Sequence, residues 1–343
     1  MTLLVTGGTG FVMSVLARHW LDSGRGERVV VLDACPLDAA AARYFADVRD
    51  RIDVVVADVT RPETWRQALA DRGITHVVHG AGITPVSRGT AAEAKREPEA
   101  EAPARIVDVN VMGTVAVLEW ARALPRLERL IYVSSGAVYR NHGPDRAGEP
   151  LPEDGYVMPL RLYGISKWAS ELIVQRYAGL FGLSAASVRP SSVYGTMDRA
   201  TPSRNYRHVP NRIAHFAVDG VKRVRVNTLD AVGDYIHAED AARAIAALLR
   251  APALRYGAYN IAAGTTTTIG ELIAWAAEKS SGLEAEIVGI AEADIVQDPE
   301  LRGGMWGAYD IARVRDETGW RPRPAREAFH AYIDWINAQR AAP

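Results

Sequence analysis

Tyr163 and Lys167 stand four residues apart in the stretch LYGISKWASELI, whose apolar residues recur at helical spacing. On a helix that spacing puts both side chains on one face. A free phenol has a pKa of about 10 and is a poor base at neutral pH, but a neighbouring ammonium stabilises the phenolate. The pair therefore suits removal of a proton from a hydroxyl, with Lys167 supplying the charge. With 13 Tyr and four Lys in 343 residues, such a pair is uncommon by chance. Upstream, VSSGAVY ends an apolar run, so Ser134 and Ser135 fall where a hydroxyl at the carboxyl edge of a parallel sheet can face a ligand crevice. Either serine alone is more often a turn residue.

A second set of residues suits a dinucleotide. The first apolar run leads directly into TGGTGFV, in which Gly7 and Gly10 allow a tight turn and close approach of a pyrophosphate to a helix N-terminus. Asp33 closes the second run, RVVVLD, where a carboxylate accepts both ribose hydroxyls of an adenosine and repels a 2′-phosphate. That favours NAD over NADP. Asp58, after the third run, reaches the adenine amino group or serves an ordinary capping or turn role.

The elements that must position these groups follow from the hydrophobic pattern. Short β-branched runs recur at LLVTG, RVVVLD, IDVVVAD, HVVHGAG and RLIYVSS, each separated by a stretch of helical spacing or charge. Strands so continuously apolar are buried on both faces, as in a parallel α/β sheet. Later strands are expected at SAASVRP and GAYNIAA, and TIGELIAWAAEKS predicts an amphipathic helix with a capping box between Thr268 and Glu271. Residues 87–104, rich in Ala and Glu, are expected near the surface. After Pro190 the rhythm loosens. The expected organisation is a Rossmann-type doubly wound sheet over 1–190, rejoined by segments around 229–262, with a smaller α/β substrate lobe in 191–343.

Composition narrows the partners. Lys and Arg number 40 against 41 Asp and Glu, a formal charge of -1, which leaves no cationic excess for nucleic acid. The single Cys35 excludes an internal disulfide and a cysteine-cluster metal site, and eight scattered His form no ligand pair, so no metal is expected. Export and membrane insertion are not expected, since the first residues run directly into a strand and no apolar run reaches membrane length, and a reducing cytoplasm is the expected compartment.

Taken together the motifs resemble the extended short-chain dehydrogenase/reductases, the NAD-dependent epimerase/dehydratase group that includes UDP-galactose 4-epimerase. The resemblance runs nearly the whole chain and rests on TGGTGFV, Asp33, Asp58, HGAG at 79–82, NVMGT at 110–114, VSSGAVY, YGISK, RPSSVYG at 189–195, DYIHAED and YNIAAG, in that order. It implies a seven-stranded parallel sheet, a homodimer formed through two long helices, and NAD as cofactor. It implies Tyr163 as acid/base, Lys167 on the nicotinamide ribose, Ser135 orienting the substrate oxygen and Ser134 beside the nicotinamide. Gly7, Gly10, Phe11 and Val12 then form the pyrophosphate loop, Asp58 and Val59 the adenine pocket, Ala81 and Gly82 the cofactor wall, Asn110 a supporting position and Pro190 the nicotinamide floor. Thr84, Ser135, Ser192 and Arg302 are its candidate substrate contacts.

Several positions depart from that pattern. Met13 occupies the third glycine position of the loop, where a small residue normally allows close helix–strand packing, so the turn must open or the Met relocate. Arg140 follows Tyr139 where glycine is usual, and the span from Gly82 to Asn110 is long. Gly233 stands where nucleotide-sugar enzymes often carry a diphosphate-gripping arginine, and Gly304 replaces the acidic residue usual after Arg302. Gly136 and Ala137 fill the places of a dehydratase's acidic pair, which ranks that activity lowest. Family prior favours a sugar-nucleotide epimerase; Gly233 favours a dehydrogenase or epimerase of a smaller polar substrate, the alternative being a dehydrogenase of a small polyol, sugar acid or hydroxy acid. A non-catalytic dinucleotide-binding regulator is the alternative of another class. Arg140, His142, Arg161, Arg199, Arg204, Arg207 and His208 offer cations for an anionic substrate, most of them expected to be solvated.

Overall fold

The computed structural model describes residues 1–24, 27–84, 98–139, 148–155, 157–201, 204, 207–280, 282–297 and 307–341. Arg302, Arg140, His142 and residues 87–97 of the Ala/Glu-rich segment lie outside them.

Each apolar run forms a strand: β1 (Thr2–Thr6), β2 (Arg28–Asp33), β3 (Ile52–Val56), β4 (Ile74–His79), β5 (Arg129–Val133) and β6 (Ala185–Pro190). Together with Ala258–Ile261 they make a seven-stranded sheet in which β3, β2, β1, β4, β5, β6 and Ala258–Ile261 lie side by side, all parallel. Strand order reverses between β1 and β4, which opens a crevice at their carboxyl ends.

One face of the sheet is covered by helix α1 (Phe11–Asp22) and by helix Ala238–Arg250, where Leu16, Trp20 and Leu21 share a core with Ile245, Leu248 and Leu249. On the other face Trp65, Val117, Leu118 and Val174 cover Leu4, Val30 and Leu130. These two layers leave the strand ends free to carry chemistry.

A second core lies beyond the sheet. Helices Val209–Val218, Ile269–Lys279 and Ala325–Ala341 enclose Ile213, Ile273, Phe329 and Ile333 beside the parallel strand pair Arg223–Val226 and Glu284–Ile287. The capping box is formed: Thr268 Oγ1 accepts from Glu271 N at 3.0 Å, and Glu271 Oε2 accepts from Thr268 N at 2.7 Å. Among the described residues no helix is long and apolar enough to cross a membrane, and no group of three or more His, Cys, Asp or Glu could hold a metal ion.

Candidate active site

The crevice at the carboxyl ends of the strands is a cleft of about 1040 Å³. Lining it are Gly7, Gly10, Phe11, Val12, Asp33, Asp58, Val59, Ala81, Gly82, Thr84, Ser134, Ser135, Tyr163, Lys167, Pro190 and Ser192. Asn110 stands behind the wall, 1% exposed. A wide π turn at Asp108–Met112 directs it inward, where it accepts from Ile83 N at 2.8 Å and donates to Ser166 Oγ at 2.9 Å.

At one end of the cleft the glycine loop is held by backbone contacts. Gly7, at φ +71°, donates to Leu32 O at 2.8 Å, and a Cβ there would come within 2.9 Å of the Ala81 backbone. Gly10 caps α1, whose first turn carries no acidic residue, leaving its N–H groups open to an anion. Asp33 Oδ2 accepts from Thr9 N and Oδ1 from Cys35 N, both at 3.0 Å. Each carboxylate oxygen keeps a further lone pair, enough for two ribose hydroxyls. A dinucleotide fits this end: a side-chain-free turn at a helix N-terminus beside an oriented carboxylate. Asp58 is more tightly engaged than its sequence position implies. Burial would raise its pKa, but the Thr60 N–H and the Arg105 guanidinium, 2.5 Å from Oδ2, outweigh burial and hold it below the usual value.

Met13 neither opens the turn nor moves away. Its thioether lies over Gly80, where a Cβ would collide with Sδ. The bulk at position 13 is matched by a missing side chain at position 80, so α1 and the end of β4 still pack closely. Gly80 is visible within HGAG, but nothing in the sequence links it to Met13.

At the other end, helix Leu162–Phe181 carries Tyr163 in its first turn and Lys167 one turn on. Its N-cap, Arg161, makes no side-chain cap; instead Glu99 Oε2 accepts from Leu162 N at 2.6 Å, setting a carboxylate at the helix's positive end. Lys167 is 4% exposed; its Nζ donates to Val133 O at 2.9 Å and lies 5.9 Å from the Tyr163 ring centre. Burial lowers the Lys167 ammonium to about 8, with Glu171 opposing. Burial also raises the Tyr163 phenol, and a hydrogen bond with Ser135 together with the Arg204 charge opposes the rise. In the protein alone desolvation outweighs these two opposing contributions and holds the phenol above its ordinary value.

A buried polar network backs this end. The Ser134 hydroxyl donates to Glu171, whose carboxylate accepts from Arg189 Nη2 at 2.7 Å. Arg189 Nη1 donates to Tyr139 Oη at 2.8 Å, and Tyr139 in turn donates to Asn260 Oδ1 at 2.7 Å. Glu171 and Arg189 are 0% and 2% exposed, so each depends on the other for its charge. Glu171 stands one helical turn past Lys167, the one sequence signal that could have placed it beside the site.

The remaining cations sort themselves. Arg199 is engaged by Asp38 and by the Thr9 carbonyl, bracing the glycine loop, whereas Arg204 lines the cleft with Nη1 on Asp198 and its guanidinium 4.7 Å from the Phe11 ring centre. Arg161 and His208 also line the cleft, and Arg207 is exposed. At Gly233 a Cβ would meet the Tyr235 ring at 2.5 Å, so an aromatic edge fills the place expected for an arginine stem. Two further residues of the cleft, Gln297 and Tyr309, come from the far end of the chain and carry no sequence signal that points to the site.

Comparison with known proteins gives the same lineage. A family model described as the NAD dependent epimerase/dehydratase family matches residues 3–262. A UDP-glucose 4-epimerase of Mycolicibacterium smegmatis is 27% identical over 331 residues, spanning 95% of either chain. A dTDP-glucose 4,6-dehydratase of the same organism is also 27% identical, over 99% of this chain and 95% of its own. The crystal structure of a Thermus thermophilus UDP-glucose 4-epimerase complexed with NAD shares the fold, with a TM-score of 0.75, 24% identity and 100% of each chain covered. On the strength of a model match over most of its length, the chain belongs to the NAD dependent epimerase/dehydratase family, and its cofactor is NAD.

Proposed function

We propose that this chain is a sugar-nucleotide epimerase in which Tyr163 takes the proton from a secondary hydroxyl of the sugar, Ser135 holds the resulting oxygen, and the same groups return the proton after the ketone has turned. The observation that carries the reading is the meeting of Ser135, Tyr163 and Lys167 at one end of a cleft whose other end is the Gly7–Gly10 turn and Asp33. Bound NAD supplies the hydride acceptor and donor. Lys167 is assigned to the nicotinamide ribose, and its ammonium favours the phenolate of Tyr163 when the cleft is filled. Ser135 Oγ accepts from Ala137 N at 3.1 Å, which fixes its hydroxyl at the turn, and its proton passes from the Tyr163 oxygen to the substrate oxygen when substrate binds. Gly7, Gly10, Phe11, Val12, Asp33, Asp58, Val59, Ala81, Gly82, Ser134 and Pro190 hold the dinucleotide in this reading, and Asn110 holds the wall. Thr84 and Ser192 face the substrate.

The UDP-glucose 4-epimerase relatives favour epimerisation. One observation favours a second reading, dehydrogenation of a smaller polyol or sugar acid: the Tyr235 ring stands at Gly233, where a diphosphate-gripping arginine is usual. Dehydration is disfavoured because Gly136 has no room for an acidic side chain: a Cβ there would collide with Tyr309 Oη. Incubating the protein with UDP-glucose and UDP-galactose and following sugar configuration separately from NADH decides between them. Interconversion without accumulating NADH is expected; stoichiometric NADH release would instead establish the dehydrogenase.

The homodimer expected from the family is proposed to form on helix Leu162–Phe181, which turns Leu172, Leu180 and Phe181 outward at 47%, 53% and 46% exposure. A mass from light scattering twice that of the chain is the expected result. The proposed compartment is the cytoplasm.

A further inference from the structure

Arg199, in the segment beyond β6, fastens that segment to the cofactor end of the cleft. Its Nε donates to Asp38 Oδ2 at 2.8 Å and its Nη2 to Asp38 Oδ1 at 3.1 Å, a two-pronged pair, while Nη2 also donates to the Thr9 carbonyl at 3.0 Å. With Nη1 on Met197 O at 3.3 Å, all three nitrogens are engaged. Asp38 is fixed from its other side, where it caps the short helix Ala39–Tyr44 by accepting from Ala41 N at 2.7 Å. Burial would raise the Asp38 pKa, but the hydrogen bonds from Arg199 and Ala41 outweigh it and hold the carboxyl below its ordinary value.

The points that Arg199 joins belong to the walls of the dinucleotide end. Thr9 is part of the glycine loop, and its N–H donates to Asp33, the carboxylate assigned to the ribose hydroxyls. Asp38 lies on the turn that Asp33 begins. The segment that supplies Arg199 is itself anchored in the second core. Met197 holds a left-handed φ of +66°, a conformation that residues with side chains adopt only where tertiary contacts impose it. The enclosed Asp198 accepts from Arg204 Nη1 at 2.6 Å, and its carbonyl accepts from Asn211 Nδ2 at 3.2 Å in the helix Val209–Val218. Thr201 and Arg204 exchange backbone hydrogen bonds at 2.7 and 3.1 Å, and both line the cleft on the side of Phe11. Neither Arg199 nor Asp38 lines the cleft, so their influence on a bound dinucleotide is transmitted through its walls.

We infer that Arg199 is a positioning residue that clasps the glycine loop to the turn after β2, so that the Arg199–Asp38 pair sets how long one NAD molecule stays in the cleft. A single exposed ion pair would have little hold. This one is a planar fork on a carboxylate, with the Arg199 side chain only 17% exposed and shared with a backbone carbonyl, which makes it both stronger and more specific in geometry. The ribose and the pyrophosphate rest on walls that Arg199 joins. Loosening the join shortens their residence without removing any group that touches them. The inference needs only the family's cofactor and is independent of the sugar chemistry proposed above.

The test measures release of NAD from the full chain with no substrate present. Protein loaded with radiolabelled NAD is mixed with a large excess of unlabelled NAD, and retained label is followed in the wild type, Arg199→Gln, Asp38→Asn and the double variant. Asn at position 38 keeps the helix cap while removing the charge. Each single variant should release NAD about three- to thirtyfold faster, and the double variant no faster than the faster single, because the two side chains act as one unit. Arg18→Gln controls for general loosening: Arg18 is paired with Asp22, Asp47 and the Tyr44 carbonyl, not with the glycine loop, and its loss should leave the release rate at the wild-type value. If Arg199→Gln melts early, Asp38→Asn carries the same comparison. An acceleration under threefold in the folded variants, or an equal acceleration in Arg18→Gln, overturns the inference. So does a double variant whose effect is the product of the two singles, since the residues would then act separately. A wild type that holds no label refutes the NAD site and the clasp together. No sugar enters the experiment, so failure of the epimerase reading leaves its outcome intact.

Discussion

The two ends of the cleft are built in different ways. At the glycine-loop end the binding groups come from the turns that directly follow β1, β2 and β4, and contacts among these neighbouring turns and strands hold them: Gly7 N–H to Leu32 O, Thr9 and Cys35 N–H to the Asp33 carboxylate. At the Tyr163 end the groups come from segments far apart in the chain, joined by side chains: Glu99 to Leu162, Glu171 to Arg189, Asp234 to Tyr309. A site built from neighbouring turns depends on few side chains, here the bare glycines and the carboxylate of Asp33. Side-chain-built sites can be retuned one residue at a time, which is how one fold serves many substrates.

That contrast is most sharply broken at Tyr163. Its replacement by Phe should lower turnover by about a hundred- to ten-thousandfold while NAD affinity stays within a few-fold, measured by product formation and by calorimetric titration. A parallel loss of NAD binding would mean the two ends are not separable. Asp33→Asn should do the reverse: NAD affinity falls by about ten- to a hundredfold, NADP is less strongly excluded, and turnover at saturating NAD changes little.

The packing beneath the glycine loop gives a subtler probe. Gly80→Ala drives a methyl into the Met13 thioether and should destabilise the fold by about 1–3 kcal/mol in chemical denaturation. Adding Met13→Ala to that variant should recover part of the loss. A Gly80→Ala protein as stable as the wild type would show that Met13 moves aside freely.

The smallest effect per pH unit concerns His79, buried between Thr6 and Thr114 under the same loop. Burial, reinforced by Lys167, lowers it to about 3. The unfolded chain therefore binds a proton between about pH 6.5 and 3 that the native state does not, so His79 makes stability fall as pH drops through that window, by at most about 1.4 kcal/mol per unit. His79→Gln should flatten the acid limb of stability against pH; an unchanged limb would assign the acid sensitivity elsewhere.

The unequal legibility of the two ends has the same origin. Runs such as RVVVLD announce strands buried on both faces, and a glycine turn or a strand-end aspartate follows each run at short range, so the sheet and the dinucleotide end are readable from sequence. Tyr163 and Lys167 are readable because one helix carries both. The Met13–Gly80 fit, the Glu99 cap and Tyr309 are not, since each depends on residues tens of positions apart whose meeting is decided by tertiary packing. The burial of the Tyr163 phenol is illegible for a related reason: spacing reveals the ammonium one turn on, but not the enclosure that pushes the phenol upward.

A crystal structure of the full chain with NAD is the decisive measurement. The adenosine ribose is predicted to sit on Asp33 and the nicotinamide between Ser134 and Pro190, its reacting face toward Tyr163. A nicotinamide bound at the Asp33 end, or turned away from Tyr163, would contradict the proposed chemistry.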